Sequence, residues 1–522
     1  MIKTFIKKLL GGTGSKSAKK GATSFGHREQ WPQDVHQIDL KKVDHRALDV
    51  VRTLQDAGYE AYIVGGAVRD LLLGLTPKDF DVATDATPEQ VKALFRRAFI
   101  IGRRFRIVHV VYGRGREHEV VEVSTFRAYL DNAAAEAVAG NEKTSKADLV
   151  HLKHAVDASG RVLRDNVWGS LHEDAARRDF TINAMYYDPQ SQVVVDYHKG
   201  LEDTKKRVIR MIGDPLTRYR EDPVRILRAI RFAAKLNALG FGLEPKTAKP
   251  LVQCQSLLEA VPQSRMFDEM LKLVQTGHGV ASMEQLIHLH LNKGLYPLLD
   301  LMVERFTQPL VRRVLEDTDQ RVSEGKAVAP GFLLAVLLWQ DVYEGWMKIQ
   351  ANGVHRMPAL QTAIDEVFDA RIGDVSGRGK LAADMREIWT LQARFDKRVG
   401  SGPYSLVDHP RFRAGIDFLQ LRGQTGEVDQ TLVDWWQTFY GTDDDTREAM
   451  LSAVRDETRP TRSRGLRRSN ATAVDAAAPK PAPETQDPTA SAPADLEGAP
   501  ARKRRRRPRR PNGPAAPSHE GD

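Results

Sequence analysis

The chain has 522 residues, 41% of them hydrophobic, which is enough for several packed units. Its one cysteine, Cys254, excludes an intrachain disulfide framework and a cysteine-rich zinc site, and fits a reducing cytoplasm. The net charge of +9 is uneven: seven basic residues precede the first acid, Glu29, and eight lie between Arg502 and Arg510, so these arms carry +7 and +8 and the rest of the chain −6.

The first arm, residues 1–35, reads as a flexible basic segment. Its opening, MIKTFIKKLLGG, has an apolar stretch broken by Lys7 and Lys8, so it is not a signal peptide; a weak amphipathic membrane-surface contact is the other reading. From about 40 to 195 helix and strand signals alternate, as in an α/β domain. Ala47–Ala57 has helical period, Tyr59–Val64 reads as a strand and Val68–Leu73 as a short helix. Lys78–Ala83 reads as a strand, and Thr87 is placed to cap a helix beginning at Pro88. Ile107–Tyr112 and Glu119–Ser124 read as two strands joined by a GRGR turn, and residues 128–160 as a loop or insertion.

From about 200 the pattern is helical, at Leu227–Leu236, Phe332–Trp339, Leu381–Phe395 and Leu432–Phe439. The run Phe332–Trp339 is far shorter than the roughly 20 residues that cross a bilayer, so it predicts a buried helix. Residues 461–522 are rich in Ala, Pro, Ser and Thr and then in Arg, too poor in apolar groups for a core. Basic arms of this kind suit sequence-independent capture of phosphate backbones; a solubility tail is the plainer alternative.

Chemistry concentrates in YIVGGAVRDLLLG followed by KDFDVAT. Gly65 and Gly66 predict a turn without side chains between a strand and a helix, where backbone amides can cradle phosphate and Arg69 adds a charged donor. Asp79 and Asp81, two apart on a strand, would share a face at about 6.5–7 Å along the chain. Two carboxylates so placed suit a pair of hard cations such as magnesium about 3.5–4 Å apart, the arrangement used in phosphoryl transfer. Taken singly, a glycine pair is more often a tight turn and Asp-x-Asp a solvated strand edge; the two in this order, this close, are harder to dismiss.

These segments resemble the head of the class II nucleotidyltransferases of the DNA polymerase β superfamily, the family of bacterial poly(A) polymerases and tRNA CCA-adding enzymes. ARRDFTINAMYYD (Ala176–Asp188) and GDPLTRYREDPVRILRAIRFAAKL (Gly213–Leu236) are similar to further elements of that family. The resemblance implies an α/β nucleotidyltransferase head (36–195), an all-α neck (196–245) and helical RNA-binding body (246–460), and disordered basic tails. It implies that Asp79 and Asp81 hold magnesium and that Asp179 is the third catalytic acid, contacting the nucleotide ribose. It further implies that Arg178 pairs with phosphate, and that Glu221, Asp222 and Arg225 form the base-reading element, with Arg228 and Arg231 facing nucleotide or RNA.

Read without the resemblance, Asp179 is an N-cap and the arginine helix a solvated face. Glu122 either joins the acids or forms a buried ion pair with Arg127; His109 reads as structural. The implied activity is template-independent transfer of AMP from ATP to RNA 3′ ends by a cytoplasmic monomer. LLLGLTPKDFDVATDATPEQV, IIGRRFRIVHV, HPRFRAGIDFLQLR (His409–Arg422) and VDWW (Val433–Trp436) resemble the poly(A) polymerase branch. A CCA-adding enzyme is the rival, and a non-catalytic RNA-binding protein the rival of another class.

Overall fold

A computed structural model describes residues 26–102, 106–113, 118–129, 167–371 and 379–457, with the backbone of three short strands between 136 and 165. The basic runs before Gly26 and after Glu457, and the GRGR turn, lie outside the described residues.

The head is built on β1 (Glu29–Trp31), β2 (Ala61–Val64), β3 (Asp81–Thr84), β4 (Ala98–Ile101), β5 (Ile107–Tyr112) and β6 (Glu119–Thr125). A separate small sheet follows, of β7 (Glu136–Ala137), β8 (His154–Val156) and β9 (Val162–Asp165), and then come β10 (Met185–Asp188) and β11 (Val193–Asp196). The main sheet runs β1-β11-β10-β2-β3-β6-β5-β4. Only β3 and β6 run parallel in it, with Asp81 opposite Glu122. One face packs on the helices His45–Asp56, Gly66–Leu72 and Pro88–Leu94 through residues such as Val50, Leu54, Ile63, Val68, Val82 and Val91. In the first of these helices the buried positions are Ala47, Val50, Val51 and Leu54, the spacing of a single apolar stripe. Thr87 caps the third as expected: its hydroxyl accepts from Gln90 N, and Gln90 returns the bond to Thr87 N.

Three boundaries differ from the sequence reading. Glu29–Trp31, placed in the flexible arm, is an edge strand paired with β11, and half-buried Trp31 packs against the sheet core. The segment 128–160 contains β7 and β8. The strand drawn from Lys78 begins only at Asp81. Its partner β2 ends at Val64, which pairs with Asp81; Gly65 then turns the chain away at φ +78°, so the β2–β3 ladder does not reach Asp79.

The neck and body are helical. Arg225–Asn237, Pro330–Leu337, Gly379–Phe395 and Gln430–Gly441 realise the four periodic runs. Gly331–Leu337 are all buried, so the apolar run is interior, and among the described residues no helix is long and apolar enough to cross a membrane. Proline opens the helices at Pro297, Pro309 and Pro330, where its missing N–H costs nothing. One core runs from Phe180 and Ile182 of the head through Ile226, Leu227 and Ile230 of the neck to Trp339 and Trp389 of the body. That shared core fixes the neck helix against the head and leaves a cleft between them.

Candidate active site

The cleft has a volume of about 770 Å³, and every residue assigned to the site from sequence, apart from Glu221 and the candidate Glu122, lines it. Its floor is the glycine turn. Gly65 sits at φ +78°, ψ −133°, a conformation open only to glycine, and a Cβ there would lie 3.8 Å from Arg178 Nη1 and 4.0 Å from Asp81 Oδ2. The glycine motif and the acid are therefore neighbours in space. The Gly65 N–H donates to Met185 O at 3.4 Å, so the free amides of the turn are those at the start of the following helix, Gly66 and Ala67.

On one wall stand the head acids. Neither Asp79 nor Asp81 makes a hydrogen bond or ion pair with any described residue, although both line the cleft. Asp81 opens onto the cleft yet is closely surrounded by protein. Burial pushes its carboxyl up to about 6, Glu122 and Asp79 push the same way, and Arg178 opposes them. Glu122 thus contributes to the acidic field rather than pairing with Arg127. Its carboxylate lies 3.3 Å from His109 Nε2 on the adjacent strand.

The opposite wall, the neck wall, joins the Asp179 turn of the head to the neck, and there Asp179, Glu221 and Asp222 each have an arginine. Asp179 accepts from Arg228 Nε at 2.8 Å and from Phe180 N at 2.8 Å. Burial would raise its carboxyl, but the charge and hydrogen bonds of Arg228 outweigh burial and hold it at about 2. The residues after it form a 3-10 turn, Thr181–Asn183, and then β10, so Asp179 caps no α-helix. Asp222 lies in the extended break between two helices that Pro223 enforces, and is gripped by Arg265 through two bonds of 2.7 Å. Glu221 stands behind, binding Arg218 at 2.8 Å and Arg225 at 3.1 Å. Arg228, Arg231 and Lys235 line the cleft from the neck helix, with the Phe232 ring 4.9 Å from Arg231 and 5.7 Å from Arg228.

One expectation changes. Arg69, read as a charged donor to phosphate, is 1% exposed. It spends its guanidinium on Asp70, at 2.7 and 2.9 Å, and on Asn183 Oδ1, at 2.9 Å. It ties the glycine-led helix to the Asp179 turn; being so enclosed, it has little freedom to follow a ligand. The donor at the turn with some access to the cleft is instead the part-buried Arg178. Burial disfavours its charge, but Tyr186 and Asp174 more than compensate and raise it. Tyr186 donates to Asp174 Oδ2 at 2.8 Å and accepts from Arg178 Nε at 3.0 Å. Sequence reasoning missed Asp174, Tyr186, Arg265 and Lys235. Asp174 had a signal, four residues before Arg178 on one helix; Arg265, 43 residues from its partner, had none.

A glycine turn, unpaired acids beside it and an arginine-lined neck define a nucleotidyltransferase. Comparison with known proteins narrows this. Residues 61–210 match the "Poly A polymerase head domain", 240–302 the "Probable RNA and SrmB- binding site of polymerase A" and 352–470 the "Polymerase A arginine-rich C-terminus". Poly(A) polymerase I of Salmonella typhi is 39% identical over 481 residues, 90% of this chain and 98% of that protein. The CCA-adding enzyme of Lactobacillus helveticus is 38% identical over 234 residues, only 45% of this chain and 51% of that protein. The solved CCA-adding enzyme of Bacillus stearothermophilus with CTP is 26% identical, covers 79% of this chain and 81% of its own, and superposes with a TM-score of 0.45. The chain belongs to the bacterial poly(A) polymerase family and is a polynucleotide adenylyltransferase.

Proposed function

We propose that the cleft binds ATP and the 3′ end of an RNA and transfers AMP without a template, with Asp79, Asp81 and Asp179 as its acidic centre. The observation that carries this is Asp81: a crowded carboxylate with no cationic partner, next to the glycine turn and facing Glu122 and Asp79. Acids so arranged resist ionisation until a cation joins them. Among the described residues no three His, Cys, Asp or Glu side chains form a ready-made metal cage. Magnesium keeps water and substrate phosphate among its ligands and takes only one or two carboxylates from protein, so the pair Asp79 and Asp81 is enough to hold it. Magnesium held by Asp79 and Asp81 would supply activation of the attacking hydroxyl and relief of charge on the departing pyrophosphate.

The remaining work falls to positioning and fixed charge. The amides of Gly66 and Ala67 and the Arg178 guanidinium receive the triphosphate. Asp179, kept ionised and aimed by Arg228, accepts from the ribose. Asp222 and Arg225 meet the adenine edge, and Arg265 fixes the orientation of Asp222. The RNA 3′ oxygen attacks the α-phosphorus, the α–β phosphoanhydride bond breaks, pyrophosphate leaves along Arg228, Arg231 and Lys235, and the hydroxyl proton passes to solvent. No covalent enzyme intermediate is required. We also propose a cytoplasmic location, in keeping with a single buried thiol.

The CCA-adding reading draws on the shared front half of the chain. Offering each nucleoside triphosphate alone with an unstructured RNA primer, and CTP with ATP on a tRNA lacking its 3′ end, separates the two. Long products from ATP only support polyadenylation; a stop after C, C and A on tRNA refutes it.

A further inference from the structure

A second cavity, of about 980 Å³, lies in the helical body and shares no residue with the catalytic cleft. It is enclosed by the start of the Arg356–Arg371 helix, the end of Gly379–Phe395, the connection that follows, and the helices Gly402–Val407 and Asp444–Glu457. Met357, Ala393 and Leu406 give it an apolar floor.

Three of its four cations lack an ion pair with any described residue, whereas several arginines elsewhere in the body have one. Arg386 pairs with Asp365 at 2.6 Å, Arg422 with Glu427 at 2.9 Å and Arg321 with Asp417 at 3.1 Å. In the cavity, Arg356 is matched by Asp396. Arg394, Lys397 and Arg398 line the same space and form no ion pair with any described residue. Arg398 instead lies 5.6 Å from the Trp435 ring, which holds its guanidinium plane in place. Asp396, paired with Arg356, also lines the cavity, and Asp429 lies within electrostatic reach of Arg398. Yet the cations outnumber the lining acid four to one, and an excess of positive charge around an apolar floor calls for an anion with a flat apolar part.

We propose that this cavity is a second RNA site, which holds an upstream single-stranded nucleotide while the 3′ end occupies the cleft. The base lies on the Met357–Leu406 floor and the flanking phosphates meet Arg394, Lys397 and Arg398. The size suits one nucleotide, since pockets for small organic ligands span about 300–1,000 Å³. Stacking plus phosphate attraction is how unstructured RNA is held without regard to sequence. An enzyme that extends unrelated RNAs gains from such a hold, because no folded shape is there to be measured. The proposal rests on RNA being the substrate, so equilibrium binding is its primary measurement and extension a second one.

The test uses the full chain with Arg394, Lys397 and Arg398 all changed to Gln, and oligo(A) of twenty nucleotides as probe. Binding should weaken about tenfold at low salt, and the slope of log affinity against log salt should flatten by about 2, near 0.7 per lost phosphate contact on a single strand. KM for the twenty-nucleotide primer should rise with kcat retained, while a four-nucleotide primer, which leaves little chain upstream of the cleft, should be unaffected. A control with the paired Arg386 and Arg321 changed to Gln should keep the original slope. An unchanged slope in the triple variant overturns the site, as does equal impairment of long and short primers. Loss of polyglutamate binding with oligo(A) binding intact would overturn it in favour of an acidic protein partner. If the parent binds RNA with the expected slope difference yet adds no adenylate, the catalytic reading fails and this site stands.

Discussion

The two walls of the cleft use the same side chain in opposite ways. On the head wall Asp79 and Asp81 have no cationic partner, and Asp81 is pushed up to about 6 by burial and by its acidic neighbours. On the neck wall Asp179 and Asp222 are each gripped by an arginine, and Asp179 is held at about 2. An acid with its partner supplied by the protein is fixed in place and pre-ionised, which suits hydrogen bonding to a neutral hydroxyl or base. An acid denied a partner stores a demand for one, which suits a cation that arrives with the substrate.

Changing one acid on each wall gives the sharpest break. Asp81→Asn should lower kcat by about 10³-fold or more while RNA affinity holds, as for loss of a group acting only in the transition state. It should also make the metal-free protein more stable at pH 7. The folded carboxyl is raised above its unfolded value, so its ionised form costs stability above about 6, and the amide removes that cost. Asp179→Asn should do the reverse to stability, losing about 1–3 kcal/mol because Arg228 is left half-matched in a largely closed site. Melting curves in chelator and steady-state extension assays read both. A fall in melting temperature for Asp81→Asn would erase the distinction between the walls.

Acid titration sharpens the same contrast. As pH falls through about 6, Asp81 takes up a proton and apparent affinity for magnesium should drop, approaching tenfold per pH unit for one displaced proton. Asp179 should not take part: its folded carboxyl lies below the unfolded value, so its contribution to stability is present above about 4 and lost only as pH falls towards about 2. Magnesium titrations of nucleotide binding between pH 5 and 8 test this; affinity flat across that range would contradict the head-wall assignment.

How much of this was readable beforehand depends on distance along the chain. The glycine turn and its acids lie within seventeen residues, Gly65 to Asp81, and local patterning brought them together correctly. Even there, alternation placed Asp79 on a strand, because the sequence does not reveal that β2 stops at Val64, opposite Asp81, so that its ladder with β3 begins only there. Arg69 looked like a phosphate donor because its type and position suit one; only the fold shows that Asp70 and Asn183 occupy it. The neck clamp was invisible, since the Asp222–Arg265 contact is created by helix packing across 43 residues. Freeing that clamp is the next test. Arg265→Gln should let Asp222 rotate, raise KM for ATP about tenfold and narrow the preference of ATP over CTP, an effect of about 1.4 kcal/mol. Unaltered nucleotide selection would leave Arg265 as a packing contact only.

The smallest expected effect concerns the join between the walls. Arg178 reaches the glycine turn from the neck side, and it is held there by Asp174 at 3.0 Å and by the Tyr186 hydroxyl, which bonds to both. Tyr186→Phe removes one oxygen and keeps the ring that lies 5.2 Å from the Arg178 guanidinium. The loss should be about 1 kcal/mol of stability, the usual worth of one buried hydrogen bond whose partners keep other contacts. Arg178 keeps its charge and its bond to Asp174 but gains freedom, so KM for ATP should rise a few-fold while kcat changes less. The readout that separates positioning from packing is the triphosphate. Pyrophosphate inhibition should weaken in parallel with KM for ATP, whereas affinity for oligo(A) should not move. If RNA and triphosphate affinities fell together, Tyr186 would be supporting the cleft as a whole rather than aiming one arginine at the turn.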